Sequence, residues 1–64
     1  MSANKHYRTR APFSTNGGVS WKWHTWTSAH ANKHAAVLDK ADELGATAWD
    51  FGMTDHAPAT EASW

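Results

Sequence analysis

Cysteine and isoleucine are missing from the 64 residues, and leucine, valine and phenylalanine occur twice each. The first absence excludes disulfides and cysteine-based zinc sites. The second removes most of the branched aliphatics from which small domains ordinarily assemble a core. No apolar run approaches the roughly 20 residues of a membrane-spanning helix. No signal-like apolar stretch follows Met1 either, so a cytoplasmic setting is expected, or an intravirion one for a viral source. Acids are missing from the first half: none precedes Asp39. Lys5, Arg8, Arg10, Lys22 and Lys33 stand before it, and Asp39, Asp42, Glu43, Asp50, Asp55 and Glu61 follow with Lys40 as their one base. A net charge of zero thus conceals two halves of opposite sign.

Tryptophan stands in place of the aliphatics, at Trp21, Trp23, Trp26, Trp49 and Trp64. Those indoles either build the core with small alanines or are presented to a partner. At this length one domain is expected, and folding removes only about 60% of the unfolded surface. Such a chain needs reinforcement, from a histidine-bound metal, from self-association or from a partner.

Tyr7, Thr9, Ala11 and Phe13 alternate with His6, Arg8, Arg10 and Pro12, the period of a half-buried strand. The turn-forming run Ser14-Thr15-Asn16-Gly17-Gly18 follows. Alternation then resumes, with Val19, Trp21, Trp23 and Thr25 on one side and Ser20, Lys22, His24 and Trp26 on the other. A hairpin pairing Phe13 with Val19, Ala11 with Trp21 and Thr9 with Trp23 collects the apolar residues on one face. Pro12 lacks a ladder donor, so the first strand is expected at an edge. Thr27 or Ser28 can cap a helix reaching Leu44 and ended by Gly45, with Val37, Leu38, Ala41 and Leu44 as its apolar stripe. Thr47, Trp49 and Phe51 then read as a third strand, parallel to the second through a right-handed crossover. The expected fold is α+β. Residues 1–53 form a β-β-α-β domain with one helix on a three-stranded sheet, and residues 54–64 form a flexible Ala/Thr/Pro tail ending in Trp64.

With the helix over Trp21, Trp23, Trp49 and Phe51, the open side of the sheet would carry His6, Arg8, Arg10, Lys22, His24 and Trp26. A cationic face with an aromatic edge suits an anionic partner, while an ordinary solvated strand face would look similar. The candidate contact residues are Arg8, Arg10, Lys22, His24, Trp26 and Trp64. His30 and His34 lie four apart, a spacing that can place two imidazoles on one metal, with His24 or His6 as a third ligand. The zincin glutamate is missing from His30-Ala31-Asn32-Lys33-His34, and packing at a core margin accounts for the pair equally well. No metal and no other cofactor is expected. No nucleophile elbow, phosphate loop or catalytic cysteine is recognisable, and enzymatic activity is not expected.

The basic alternating hairpin, the alanine-rich helix ending at Gly45 and the stretch from Ala48 to Phe51 resemble small sheet-plus-helix modules. Examples are the arm-binding domains of integrases and the plant AP2 type. That resemblance implies DNA reading by a basic sheet backed by a helix. In those modules three strands precede the helix, whereas only two do so here. The leading functional expectation is a non-enzymatic protein-binding module, an adaptor or inhibitor of the kind phages and mobile elements carry. Trp26 and Trp64 would anchor it, and Arg8, Arg10 and Lys22 would steer it toward an acidic patch on a protein partner. The alternatives are DNA or RNA bound on the same face, and a self-associating structural protein whose oppositely charged sides stack.

Overall fold

Tyr7–Ser14 form the strand (β1) around which the other elements are arranged. The computed structural model describes residues 6–64; Lys5, counted above in the basic half, lies outside the described residues. Strand β2 (Lys22–Ser28) runs antiparallel along one side of β1. The helix α1 (Lys33–Leu44) follows, then β3 (Ala48–Trp49), a 3-10 turn (Phe51–Met53) and β4 (Asp55–Pro58). Strands β3 and β4 lie end to end along the other side of β1, both antiparallel to it. The fold is α+β, one antiparallel four-stranded sheet with a single helix packed against it.

Strand β1 is central, which corrects the expectation that Pro12 marks an edge. The carbonyls of His6 and Ser14 accept from Ala59 N and Thr47 N on the β3/β4 side. Even-numbered residues of β1 therefore turn their main-chain groups toward β3 and β4, Pro12 among them. The pairings Phe13↔Trp49 and Arg10↔Asp55 flank the point where residues 51–53 leave the ladder as a 3-10 turn. Pro12 sits opposite that interruption, where no partner asks for its missing N–H. The third strand is likewise corrected, being antiparallel and paired with β1 rather than parallel to β2. Residues Asp55–Pro58, placed in the expected tail, form a strand.

The largest correction concerns register. Phe13 pairs with Lys22, Ala11 with His24 and Thr9 with Trp26. Each partner lies three residues beyond the expected one, and a shift by an odd number exchanges the faces of every β2 side chain. His24 and Trp26 consequently lie beside Phe13, with ring centroids 5.7 and 5.6 Å from it, while Trp21 and Trp23 are exposed.

The cause lies in the connection, which spans residues 15–21 instead of closing within the run 14–18 that the expected pairing of Phe13 with Val19 implies. Ser14, 1% exposed, holds that loop through one hydroxyl. Its Oγ donates to Asn16 Oδ1 (2.7 Å) and accepts from Asn16 N (3.2 Å) and Gly18 N (2.8 Å). Asn16 Oδ1 also accepts from Ser20 N (3.0 Å), and Gly17 N donates to Thr47 Oγ1 (2.9 Å). Gly17 and Gly18, at φ 72° and 97°, let the chain turn left-handed between these anchors. Ser14→Ala strands two amide donors in one stroke. It is expected to cost about 1–3 kcal/mol and to lower the thermal midpoint by at least about 5 °C, as read by circular dichroism.

Helix α1 starts later than expected because β2 runs on to Ser28 and Asn32 supplies the cap. Asn32 Oδ1 accepts from His34 N (2.8 Å) and Ala35 N (3.2 Å). Its C-terminus falls where the sequence places it, with Gly45 left-handed at φ 69° and Ala46 N donating to Ala41 O at 2.8 Å. Ala36, Val37 and Ala41 are buried, and Leu38, counted in the expected stripe, is exposed. The core consists of Ala11, Phe13, Val37 and Ala41, with Trp26, Leu44, Ala46, Trp49 and Phe51 packed around it. No helix among the described residues is long and apolar enough to cross a membrane.

Candidate functional site

Strand alternation decides which side chains meet on the side of the sheet away from the helix. From β1 come Arg8, Arg10 and Pro12, from β2 Trp23, Thr25 and Thr27, and from β4 Asp55 and Ala57. Trp21, just before β2, and Met53, from the 3-10 turn, complete an apolar cleft with Pro12, Trp23 and Asp50. Its volume is about 330 Å³. Trp21, Trp23 and Met53 are 45%, 49% and 55% exposed, so water wets three large apolar side chains that the burial rule would put inside.

The cleft's walls are held by polar contacts. Trp21 Nε1 donates to Gly18 O at 3.1 Å, tying the indole to the 15–21 loop. Asp50 Oδ1 accepts from Gly52 N at 2.8 Å, capping the 3-10 turn that carries Met53. On the far side of Trp23, the Arg10 guanidinium lies 5.3 Å from that ring and 5.9 Å from the ring of Trp64. Arg10 Nη2 donates to Asp55 Oδ2 at 2.9 Å, and Arg10 Nε is buried without a hydrogen-bond partner among the described residues. Because both partners are over two-fifths exposed, that ion pair contributes little stability of its own. Its consequence is positional, since it pins a flat cation between two indoles. Arg8 Nη1 donates to the main-chain oxygen of Trp64. Trp64 thus folds back onto the open face instead of extending as a free anchor.

Of the six residues expected to form a contact surface, the structure brings Arg8, Arg10 and Trp64 together on the open face. Lys22, His24 and Trp26 go to the helix face, correcting their placement. Lys22 and His24 line a second hollow with Phe13, Thr15, Ser20 and Leu44. Trp26 packs on the core, covered by Lys40, whose Nζ lies 5.4 Å from its ring. Nor is the open face the cationic surface expected, because both its arginines are engaged and Asp50 and Asp55 share it. Sequence reasoning assigned Trp21 and Trp23 to the core and gave Met53 and Asp50 no part in the contact surface. The signal for them was present in β2 itself, where indoles occur on both faces.

The histidine pairing is not formed either. Helix α1 begins at Lys33, so His30 lies outside it and faces Asp39, with Nε2 3.6 Å from Oδ2. His34 tilts against Phe51 at a centroid distance of 4.2 Å, and His24 sits edge-on to Phe13. Among the described residues no three histidine or acidic side chains gather as a metal site. His56, unremarked in the sequence, is the best connected of these rings. Its Nδ1 lies 2.7 Å from Thr9 Oγ1, its Nε2 lies 3.1 Å from Ala31 O, and it stacks on Tyr7 at 5.3 Å.

No family model matches the chain, and no curated protein or solved structure is detectably similar to it.

Proposed function

We propose that the chain is a small non-enzymatic protein-binding module, an adaptor or inhibitor working in the cytoplasm or inside a virion, with the open sheet face as its contact surface. One observation carries the proposal: Trp21, Trp23 and Met53 stand half-exposed around a cleft floored by Pro12, on the face the helix leaves bare. Interfaces concentrate their energy in a few such aromatic anchors. The register of the hairpin supports Trp21 and Trp23 as the anchors in place of Trp26, because it leaves their rings exposed. A protein partner is favoured over DNA or RNA because phosphate binding draws on free cations, and Arg8 and Arg10 are already occupied by Trp64 and Asp55. The same occupancy shifts the expected contact from an acidic patch to an apolar side chain that enters the cleft, with Arg10 holding Trp23 in place.

The test compares proteins captured from host lysate by the wild-type chain and by a Trp21→Ala, Trp23→Ala double variant. A specific partner should bind the double variant about 30-fold or more weakly, with the variant's melting curve retained. Capture that survives both substitutions would remove the cleft from consideration. Capture that vanishes on nuclease treatment, or weakens steeply with salt, would transfer the face to nucleic acid.

A further inference from the structure

The sheet has two outer edges, and they are finished differently. On the β3/β4 side the edge is broken by the 3-10 turn at Phe51–Met53. Arg8 and Arg10 face Ala57 and Asp55 across the ladder, so His56 and Pro58 turn their main-chain groups outward. Pro58 has no N–H, and its carbonyl already accepts from Glu61 N (2.8 Å) and Ala62 N (3.0 Å). That edge offers little to an incoming strand.

Strand β2 forms the opposite edge, and no described strand pairs with its outer side. Because even-numbered residues of β1 face β3 and β4, the odd-numbered ones face β2. The pairs Ala11↔His24 and Thr9↔Trp26 then direct even-numbered β2 residues inward. The N–H and C=O groups of Trp23, Thr25 and Thr27 are left pointing out. None of the usual guards is present: β2 holds no proline, no glycine and no bulge, and its one permanent charge, Lys22, is its first residue. Its flanking loops also lean away from this edge. In the 15–21 loop Gly17 N reaches Thr47 Oγ1, just before β3, and after β2 Ala31 O reaches His56 of β4.

We propose that β2 pairs with β2 of a second copy, antiparallel about a two-fold axis at Thr25, so that two sheets become one. Centring on Thr25 pairs all seven residues of the strand. Trp23 then faces Thr27 of the other copy, His24 faces Trp26, and Lys22 faces Ser28, so that no like charges meet. The outward groups of Trp23, Thr25 and Thr27 fall at the hydrogen-bonded positions of this register and supply about six inter-chain bonds. The β-branched and aromatic composition of residues 23–27 suits a central strand. A chain this small, without disulfides, gains the buried surface it lacks. The proposal is independent of the cleft, which lies on a face that pairing leaves open.

Single cysteines test the register, since the chain has none of its own. At the axis, Thr25→Cys places two Cα atoms about 5.5 Å apart, within reach of a disulfide. Thr27→Cys separates them by about 14 Å, beyond it. Mild oxidation should cross-link T25C at least about tenfold more than T27C, and the wild type should sediment as a dimer. Thr25→Pro, which removes an outward N–H that no group among the described residues uses, should sediment as a folded monomer. A wild type that stays monomeric at high concentration, or equal cross-linking of the two cysteine variants, would overturn the proposal. Those two readouts decide it even if the proline variant does not fold.

Discussion

Trp26→Ala is expected to cost the fold about 3 kcal/mol or more, while Trp23→Ala, three residues earlier, is expected to cost less than about 1 kcal/mol. The asymmetry follows from register alone. Trp26 lies against Phe13 at 5.6 Å, beneath Lys40 of α1, and packs on the core of Ala11, Val37 and Ala41. Its removal opens a cavity beneath the helix, and so short a domain has only about 3–10 kcal/mol of total stability. Trp23 is half-exposed, and its loss removes one wall of a cleft together with a cation–π contact to Arg10. Thermal denaturation followed by circular dichroism separates the two variants. The register expected from hydrophobic pattern alone would reverse the order, with Trp23 inside and Trp26 wet. Equal loss in both variants would contradict either register.

Why pattern points to the wrong register can be read from β2. A strand's register is well specified when only one face is apolar. Here Trp21 and Trp23 mark one face and Trp26 the other, with threonines and a histidine between them, so both faces can pass for the inner one. The decision falls to Ser14, Asn16 and Thr47, whose side chains set the loop length through hydrogen bonds that no periodicity reveals. Where one face alone was apolar, the sequence was legible. Thr9, Ala11 and Phe13 are buried as their alternation implies, α1 ends at Gly45, and Val37, Ala41, Trp49 and Phe51 reach the core. The candidate site was legible only in part. Arg8 and Arg10 could be assigned to the open face from β1, whereas every contribution from β2 depended on the register.

Strand β4 was illegible for a different reason. Asp55, Ala57 and Pro58 are poor strand formers, and the segment reads as tail on composition. Its order comes from specific tertiary contacts. Asp55 meets Arg10 from the opposite-charge half of the chain, which turns the segregation of charge into a pairing between the first and last strands. At the other contact, His56 fills a place that only an imidazole satisfies from both sides.

His56→Ala is therefore expected to destabilise the chain by about 2–4 kcal/mol, combining a stranded buried hydroxyl with a lost aromatic stack. Since a carbonyl can only accept, Nε2 donates to Ala31 O at 3.1 Å, and in the tautomer with its proton on Nε2 the ring's Nδ1 accepts from Thr9 Oγ1 at 2.7 Å. Thr9 is wholly buried, so without the ring its hydroxyl has lost its acceptor where water does not reach it. The Ala31 carbonyl, nearer the surface, can turn to solvent at smaller cost. The thermal midpoint should fall by roughly 10 °C or more. Adding Thr9→Val to the His56→Ala chain should recover part of that loss by deleting the stranded group, a coupling that a merely local role for His56 would not produce. Were His56→Ala to melt like the wild type, β4 would not be holding β1 to the 29–32 loop. Residues 55–64 would then behave as the tail their composition resembles, and Arg8 and Arg10 would regain the freedom that the proposed function denies them.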